Sequence, residues 1–458
     1  MEPGKVFVFP HQKRGGEKER WGQAQKINRD LLQPLMKTGR GYYLVVLFLF
    51  LVVFAAGAAW TYQIKTGIGQ TDLHPPIFWG VYISSFVFWV GVSHSGTFIS
   101  GALRLSKAEW RRPVTRIAEL MTLFSIIVAS LFIFVHLGRV WRFFYLIPYP
   151  NQRELWPNFR SPLMWDATAI FTYATSSAIY LYLPLIPDFA LMRDRVKDWR
   201  RPIYIVLSLG WRGTQTEWRW LRMAIRIITV LIVLVMVSVH SIVGLDFAVA
   251  LVPGWHSTII PPYFVVGAIH SGVATVATGL YLVRKFYRLH DYIRLEHFDK
   301  LGKLMIVITL AWGYFYFMDR IVTWYGNLPE EMAVIDAVMY GPYALQQWLM
   351  VAVNFVIPII LLSFPSFRRW PLGLMAVSLL INVGMYIERI LIIVPSLARP
   401  RLTYAWSSYF PTIVEFTILA GSFALFMLLY MLAIKVVPMI SIWEEKEGIL
   451  HGKRHERG

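Results

Sequence analysis

An all-helical, multi-pass membrane fold is what this sequence predicts, on three observations. The 458 residues are 56% hydrophobic, with a mean hydropathy of +0.50, too apolar for an ordinary soluble domain. Ten stretches approach or exceed the roughly 20 apolar residues that cross a bilayer as a helix. Trp and Tyr crowd the ends of those stretches, as in WTYQ (60–63), WPNF (156–159) and YAWSSY (404–409), where an amphipathic ring meets both lipid and water.

The ten candidate spans cover roughly 42–62, 76–105, 117–143, 162–186, 221–243, 262–283, 303–325, 343–364, 370–394 and 412–436. They read as two parallel four-helix bundles flanked by one helix at each end. A tail (1–41) and a first helix with its loop (42–72) precede the first bundle (73–250). The second bundle (251–400) is followed by the last helix and a second tail (401–458). The division rests on a repeat: VGVSHSG at 90–96 returns as VGAIHSG at 266–272. The second and sixth spans run the same way through the membrane, as parallel duplication requires. Each is preceded by a Pro-Pro-aromatic step, PPIF (75–78) and PPYF (261–264), and proline suits the first turn of a helix. Eighteen residues separate Pro76 from His94, but eight separate Pro262 from His270. That spacing places the two histidines at different depths, His94 further from the helix start.

Charge fixes orientation. Of the 45 Lys and Arg behind the net charge of +18, 35 fall in the tails and in the loops on their side of the membrane. Seven fall in the opposite loops, and Arg226, Arg320 and Arg389 lie inside spans. The positive-inside bias puts both termini in the cytoplasm. The basic balance therefore reports topology and contact with lipid headgroups, not nucleic-acid binding. The first 41 residues are too charged for a secretory signal, and are expected to dock on a cytoplasmic surface or stay loose. Cysteine is absent, which excludes disulfides and thiolate-held iron–sulfur clusters in this chain. Electrons handled here would have to pass to another subunit.

Ionisable groups within spans are costly and are functional candidates by default. One subset closes or opens three consecutive spans on the lysine- and arginine-poor side: His136 and Arg139 in FVHLGRVWR (134–142), Asp166 in SPLMWD (161–166), His240 and Asp246 in SVHSIVGLDFA (238–248). An imidazole and a carboxylate brought together there suit quinol oxidation, one accepting a hydroxyl proton while the other holds or relays the second. The plainer alternative is a structural ion pair such as Arg139 with Asp166. A second subset is spread through the depth of the membrane: His94, Glu119, His270, the adjacent pairs Asp319–Arg320 and Glu388–Arg389, and Glu415. It reads as a hydrogen-bonded proton path or as polar glue between helices. Neighbours on a helix point about 100° apart, so the adjacent pairs are expected to find partners on other helices. The glycines and serines around His94 and His270 allow close helix approach. His94, His136, His240 and His270 would suffice for two bis-histidine haems, but only His136 and His240 share a depth on this reading, which argues against haem. P-loop, HExxH and nucleophile-elbow motifs are missing, and no metal site is expected.

Several runs carry a resemblance: VGVSHSG, HLGRVWR, YPNQRELWPNFRSPLMWD (149–166), IPDFALMRDR (186–195), LGWRG (209–213) and VHSIVGLDFAVALVPGWHSTIIPPYF (239–264). Over roughly residues 40–440 the chain resembles the NrfD/PsrC (polysulfide reductase membrane subunit) family, in the form found in bacterial alternative complex III. The resemblance implies a multi-pass subunit of the bacterial plasma membrane that binds quinol, menaquinol above all, near the outer face. Electrons would pass to an iron–sulfur partner subunit and then to a multihaem c-type cytochrome subunit, beside a second homologous NrfD-like membrane subunit. It assigns the quinol site to His136, Asp166 and Asp246, with Arg139 as neighbour, and holds neither haem nor cluster in this chain. It also implies proton translocation, for which His94, Glu119, His270, Asp319, Arg320, Glu388 and Arg389 are the candidates. The alternatives to this reading are a non-catalytic anchor for redox subunits, a di-haem b-type anchor and a secondary transporter.

Overall fold

The computed structural model describes residues 17–146 and 161–455; the WPNF stretch and most of the loop before SPLMWD lie outside the described residues. In chain order the helices are α1 (Glu17–Met36), α2 (Arg40–Thr66), α3 (Val81–Leu105), α4 (Arg112–His136), α5 (Pro162–Arg195), α6 (Arg201–Leu207), α7 (Gln215–Ala248) and α8 (Ile260–Phe286). There follow α9 (Leu295–Gly326), α10 (Pro329–Met339), α11 (Ala344–Val351), α12 (Ile357–Ser363), α13 (Pro365–Arg368), α14 (Pro371–Ala398), α15 (Ile413–Ala433) and α16 (Ile442–His455). Among the described residues, ten helical segments are long and apolar enough to cross a membrane, the eighth formed by α11 and α12 around a π-turn at 352–356. All ten coincide with the spans expected from the sequence.

α3 and α8 form the centre. α3 packs on α4, α7 and α8, and α8 packs on α9 and α14. α5 lies against α7, and α11 against α14. The flanking helices α2 and α15 pair with each other, with Gly421 against Ala56, and α15 joins the core through Trp89 Nε1 donating to Ser422 Oγ at 3.1 Å.

The repeated heptapeptides are the seam between the two central helices. A Cβ at Gly91 would meet the Ala268 backbone at 3.4 Å, and one at Gly272 would land on the Ser95 side chain. The Ser95 hydroxyl donates across the seam to Ala268 O at 3.0 Å. On its other side, Gly96 lies against the Ala118 carbonyl, where Ser93 Oγ donates to Thr122 O (2.9 Å) and Thr122 Oγ1 donates to Ser93 O (3.0 Å). Small residues let backbones approach within lipid, where packing and interhelical hydrogen bonds hold helices together.

This pairing corrects the expected depths. VGVSHSG and VGAIHSG lie side by side, so His94 and His270 share a level. The spacing from the prolines misled because Pro75 and Pro76 precede α3, which begins at Val81, whereas Pro261 and Pro262 lie in the first turn of α8. Helix ends differ as well. α4 stops at His136, where Gly138 takes a φ of +65°, so Arg139 sits on the turn beyond it. α7 continues to Ala248, which sets His240 about 9 Å below Asp246 along the axis at about 1.5 Å per residue instead of at the helix end. α5 runs on to Arg195, past the expected 186.

At the basic end of the bundle both tails dock. From α1, the Leu35 carbonyl accepts from Arg200 (3.2 Å), the Pro34 carbonyl accepts from Lys435 (2.6 Å), and Asp30 accepts from the Tyr292 hydroxyl (3.0 Å). From α16, buried Glu444 bridges Arg104 (2.8 Å) and Arg111 (2.6 Å). Burial disfavours the charged Glu444 carboxylate, but the two guanidiniums prevail and hold it down at about 2. Burial pushes neighbouring Glu445 up to about 7, against the pull of Arg112.

Two expectations follow from this packing. Gly96→Ala should destabilise the protein by about 1–3 kcal/mol through overpacking, read as a lower thermal transition in detergent, whereas Gly57→Ala, which meets nothing within 4 Å, should not. For Glu445, the folded value lies above the ordinary 4.5. Its contribution to docking of α16 is thus complete below about 4.5 and is lost as pH rises through about 7. Corrected amide exchange in α16 should be faster at pH 8 than at pH 5, and Glu445→Gln should remove the difference.

Candidate functional site

The site begins with two carboxyls. Asp166, one turn into α5, and Asp246, in the last turn of α7, are brought together by the α5–α7 packing, close enough for each carboxyl to act on the other's charge. Two carboxyls held near each other repel when both are charged, so such a pair favours keeping one proton between them. Asp166 is buried and Asp246 half-buried. Each leaves its Oδ1 without a hydrogen-bond partner among the described residues. Unsatisfied buried carboxyl oxygens are rare and call for a ligand or water.

His136 closes α4 at the same end of the bundle, half-buried, with Nδ1 unpartnered among the described residues. Arg139, on the turn that follows, is exposed, so it borders this end of the bundle instead of lying within the helix. This end of the bundle thus holds a carboxyl pair, an imidazole nitrogen without a partner among the described residues and, on the turn after α4, a cation.

His240 does not belong to that group. Its ring lies 4.9 Å from His94, which stacks on Tyr173 at 4.2 Å, and 6.2 Å from Phe264. The expected shared depth of His136 and His240 is therefore replaced by one of His94 and His240. This pair fits haem poorly: rings whose centres are 4.9 Å apart leave no room for a porphyrin between them, and Tyr173 covers the His94 ring. His270 lies apart, its Nε2 bonded to Thr309 at 3.1 Å.

Deeper polar groups form two further clusters. Glu388 on α14 accepts from Trp312 Nε1 at 2.7 Å and from the Tyr263 hydroxyl. Arg389 lies 3.4 Å from Glu388 and 4.7 Å from the Phe264 ring centre, beside His240. Gly267 makes room for it, since a Cβ there would meet the guanidinium at 2.6 Å. Arg320 and Asp319 approach to 4.0 Å, and Arg320 lies 5.6 Å from the Tyr316 ring centre. Both adjacent pairs thus contact within themselves, because long side chains bend round the helix surface; Glu388–Arg389 also reaches α8 and α9, whereas Asp319–Arg320 meets Tyr316 on its own helix. Glu119 is in the other cluster, with Arg104 (3.0 Å), Arg116 (3.8 Å) and Ser100 (2.8 Å), next to the Arg116–Asp188 pair (3.0 Å). Glu415 caps α15, accepting from the backbone of Thr412 (2.9 Å) and Asp72 (3.1 Å) and from the Tyr409 hydroxyl.

Sequence reasoning missed Tyr173, Tyr263 and Trp312, which carry no charge to flag them, and Arg104, Arg116, Asp188 and Glu444. The two arginines are absorbed into loop charge when only hydropathy is followed. Asp188 falls beyond the expected end of its span, although it lies within the quoted IPDFALMRDR.

Comparison with known proteins agrees with this architecture. The family described as polysulphide reductase, NrfD, matches residues 69–401. The chain belongs to the NrfD family. It is similar to a putative membrane subunit of dimethyl sulfoxide reductase from Halobacterium salinarum, 26% identical over 433 residues that cover 90% of this chain and 94% of that protein. It is 21% identical over 415 residues to a selenate reductase subunit of Mesobacillus selenatarsenatis, covering 85% and 92%. It is also 21% identical over 436 residues to the Hdr-like menaquinol oxidoreductase integral membrane subunit of Archaeoglobus fulgidus, covering 91% and 96%. This NrfD chain is therefore a multi-pass membrane protein whose relatives are membrane subunits of oxidoreductase complexes.

Proposed function

We propose that this NrfD chain is the quinol-binding membrane subunit of a quinol-oxidising complex, the ActC-type subunit of an alternative complex III. Menaquinol is the proposed donor, as the names of two relatives, a menaquinol oxidoreductase and a menaquinone reductase membrane subunit, support. The observation that carries the reading is the Asp166–Asp246 carboxyl pair with its unpartnered oxygens, at the same end as the unpartnered His136 nitrogen.

Quinol oxidation releases two electrons and two protons. In this proposal His136 Nδ1 takes one hydroxyl proton, and the carboxyl pair, holding one proton between two groups, takes the other. Arg139 borders the site and orients the headgroup. The electrons leave to an iron–sulfur cluster of a partner subunit docked over this end, and from there to a multihaem c-type cytochrome subunit, with a second NrfD-like subunit alongside. The bacterial plasma membrane, with both termini in the cytoplasm, is the proposed location; the placement of Lys and Arg supports it.

Proton translocation belongs to the same proposal. Arg389, paired with Glu388 and lying over the Phe264 ring, whose centre is 6.2 Å from that of His240, supports a link from the second bundle to His94. His270, Asp319, Arg320 and, toward the basic end, Glu119 are the remaining members.

In the assembled complex, Asp166→Asn and His136→Ala should each lower menaquinol-dependent electron transfer by about a hundredfold or more, the usual weight of a positioned proton acceptor. Assembly should survive. Unchanged turnover would leave the chain as a docking platform for redox subunits. In vesicles, Asp319→Asn and Glu388→Gln should abolish proton translocation beyond the two protons that each quinol oxidation itself releases, while electron transfer continues; undiminished pumping in both would remove those two residues from the path.

A further inference from the structure

Arg219, Arg222 and Arg226 stand on one stripe of α7, at the i, i+3, i+7 spacing of a single helix face, and all three are exposed. The opposite face is the buried one: Leu221 and Ile225 pack with Trp211, Ile186 and Trp443. No ion pair engages the three arginines among the described residues. The nearest carboxylate in sequence, Glu217, is occupied at the helix cap, accepting from Thr214 N at 2.8 Å.

Depth makes this stripe unusual. α7 has 34 residues, about 51 Å of helix, against a hydrocarbon layer of about 30 Å. Counting roughly 20 residues back from Asp246 reaches Ile227. Between Ile227 and Val239 no residue is charged, and the polar ones are Thr229 and Ser238. The outward side chains of that stretch, Ile227, Val230, Leu231 and Leu234, are exposed. Arg226 is thus at the edge of the hydrocarbon, and it bends back: its Nε donates to the Arg222 carbonyl at 3.4 Å, one turn toward the basic side. Trp220, exposed beside it, sits where indole rings favour the interface.

We infer that Arg219, Arg222 and Arg226 form a binding site for the phosphate headgroup of an acidic phospholipid in the adjoining leaflet, its acyl chains lying along Ile227, Val230 and Leu234. Guanidiniums match phosphate oxygens in paired hydrogen bonds, and the apolar surface beginning one residue beyond Arg226 suits the chains. The site is independent of the quinol reading, which concerns the opposite end of the same helix.

The test uses the purified complex, stripped of lipid in detergent and titrated with dioleoyl phosphatidylglycerol or dioleoyl phosphatidylcholine, with bound lipid counted by native mass spectrometry. The wild type should prefer phosphatidylglycerol. Replacing all three arginines by Gln should weaken that lipid on the order of a hundredfold, at about fivefold per cation near an anionic headgroup. Replacing all three by Lys should retain most of the preference. Changing Lys107, Arg288 and Arg369 to Gln, an equal loss of charge from exposed positions on the same side, should leave it intact. Equal weakening in that control, or an undiminished preference in the Gln variant, would overturn the proposal. So would loss of a neighbouring membrane subunit from the Gln variant with phosphatidylglycerol binding unchanged, because the stripe would then be a protein interface.

Discussion

Everything in this bundle is arranged around the contact between VGVSHSG on α3 and VGAIHSG on α8. Within lipid there is no hydrophobic drive to pull two apolar helices together, so close association depends on surfaces flat enough for backbones to touch. Gly91 and Gly272 supply that flatness, and Ser95 adds a hydrogen bond across it. Each motif also carries a histidine, and the close contact turns both imidazoles toward helices of their own bundle: His94 to Tyr173 and His240, His270 to Thr309. The same residues thus fix the interface and introduce polar groups on either side of it.

Because the two bundles meet there, polar chemistry can cross between them. Gly267, the counterpart of Gly91, leaves space for Arg389 of α14 to reach in beside His240 of α7. Glu388 next to it is held by Tyr263 and Trp312. Buried charge in a membrane persists only when paired and hydrogen-bonded; here Glu388 has Arg389 as its counter-charge and two neutral donors on one oxygen. At the basic end the solution differs: Arg104, Arg111 and Arg116 are met by Glu119, Asp188 and Glu444. That network is completed only when the C-terminal helix α16 folds back under the bundle. At the opposite end the carboxyl pair leaves two oxygens without hydrogen-bond partners among the described residues, and Glu119 and Glu388 deeper in the bundle each leave one.

Much of this was legible in the residues. Ten spans, and the placing of His136, Asp166 and Asp246 toward one end of the bundle, followed from hydropathy and from the positions of charged residues along each span. What misled was distance measured along the chain. Proline spacing put His94 and His270 at different depths, because Pro75 and Pro76 lie before α3 and not within it. A hydropathy edge near residue 243 put His240 at a helix end that in fact lies at Ala248. Hydropathy marks where apolar residues stop, and a helix stops where its backbone hydrogen bonds do.

The sequence by itself determined the class, the number of crossings and which ionisable groups must be hidden from lipid, since each follows from the cost of placing a residue in hydrocarbon. Only the tertiary structure decided which hidden groups touch. That Asp166 meets Asp246, that His94 meets His240, and that Glu444 of the tail neutralises Arg104 depend on the rotation of each helix about its axis. Rotation is set by packing against neighbours, such as the glycine seam, and one chain's pattern of apolar residues leaves it open.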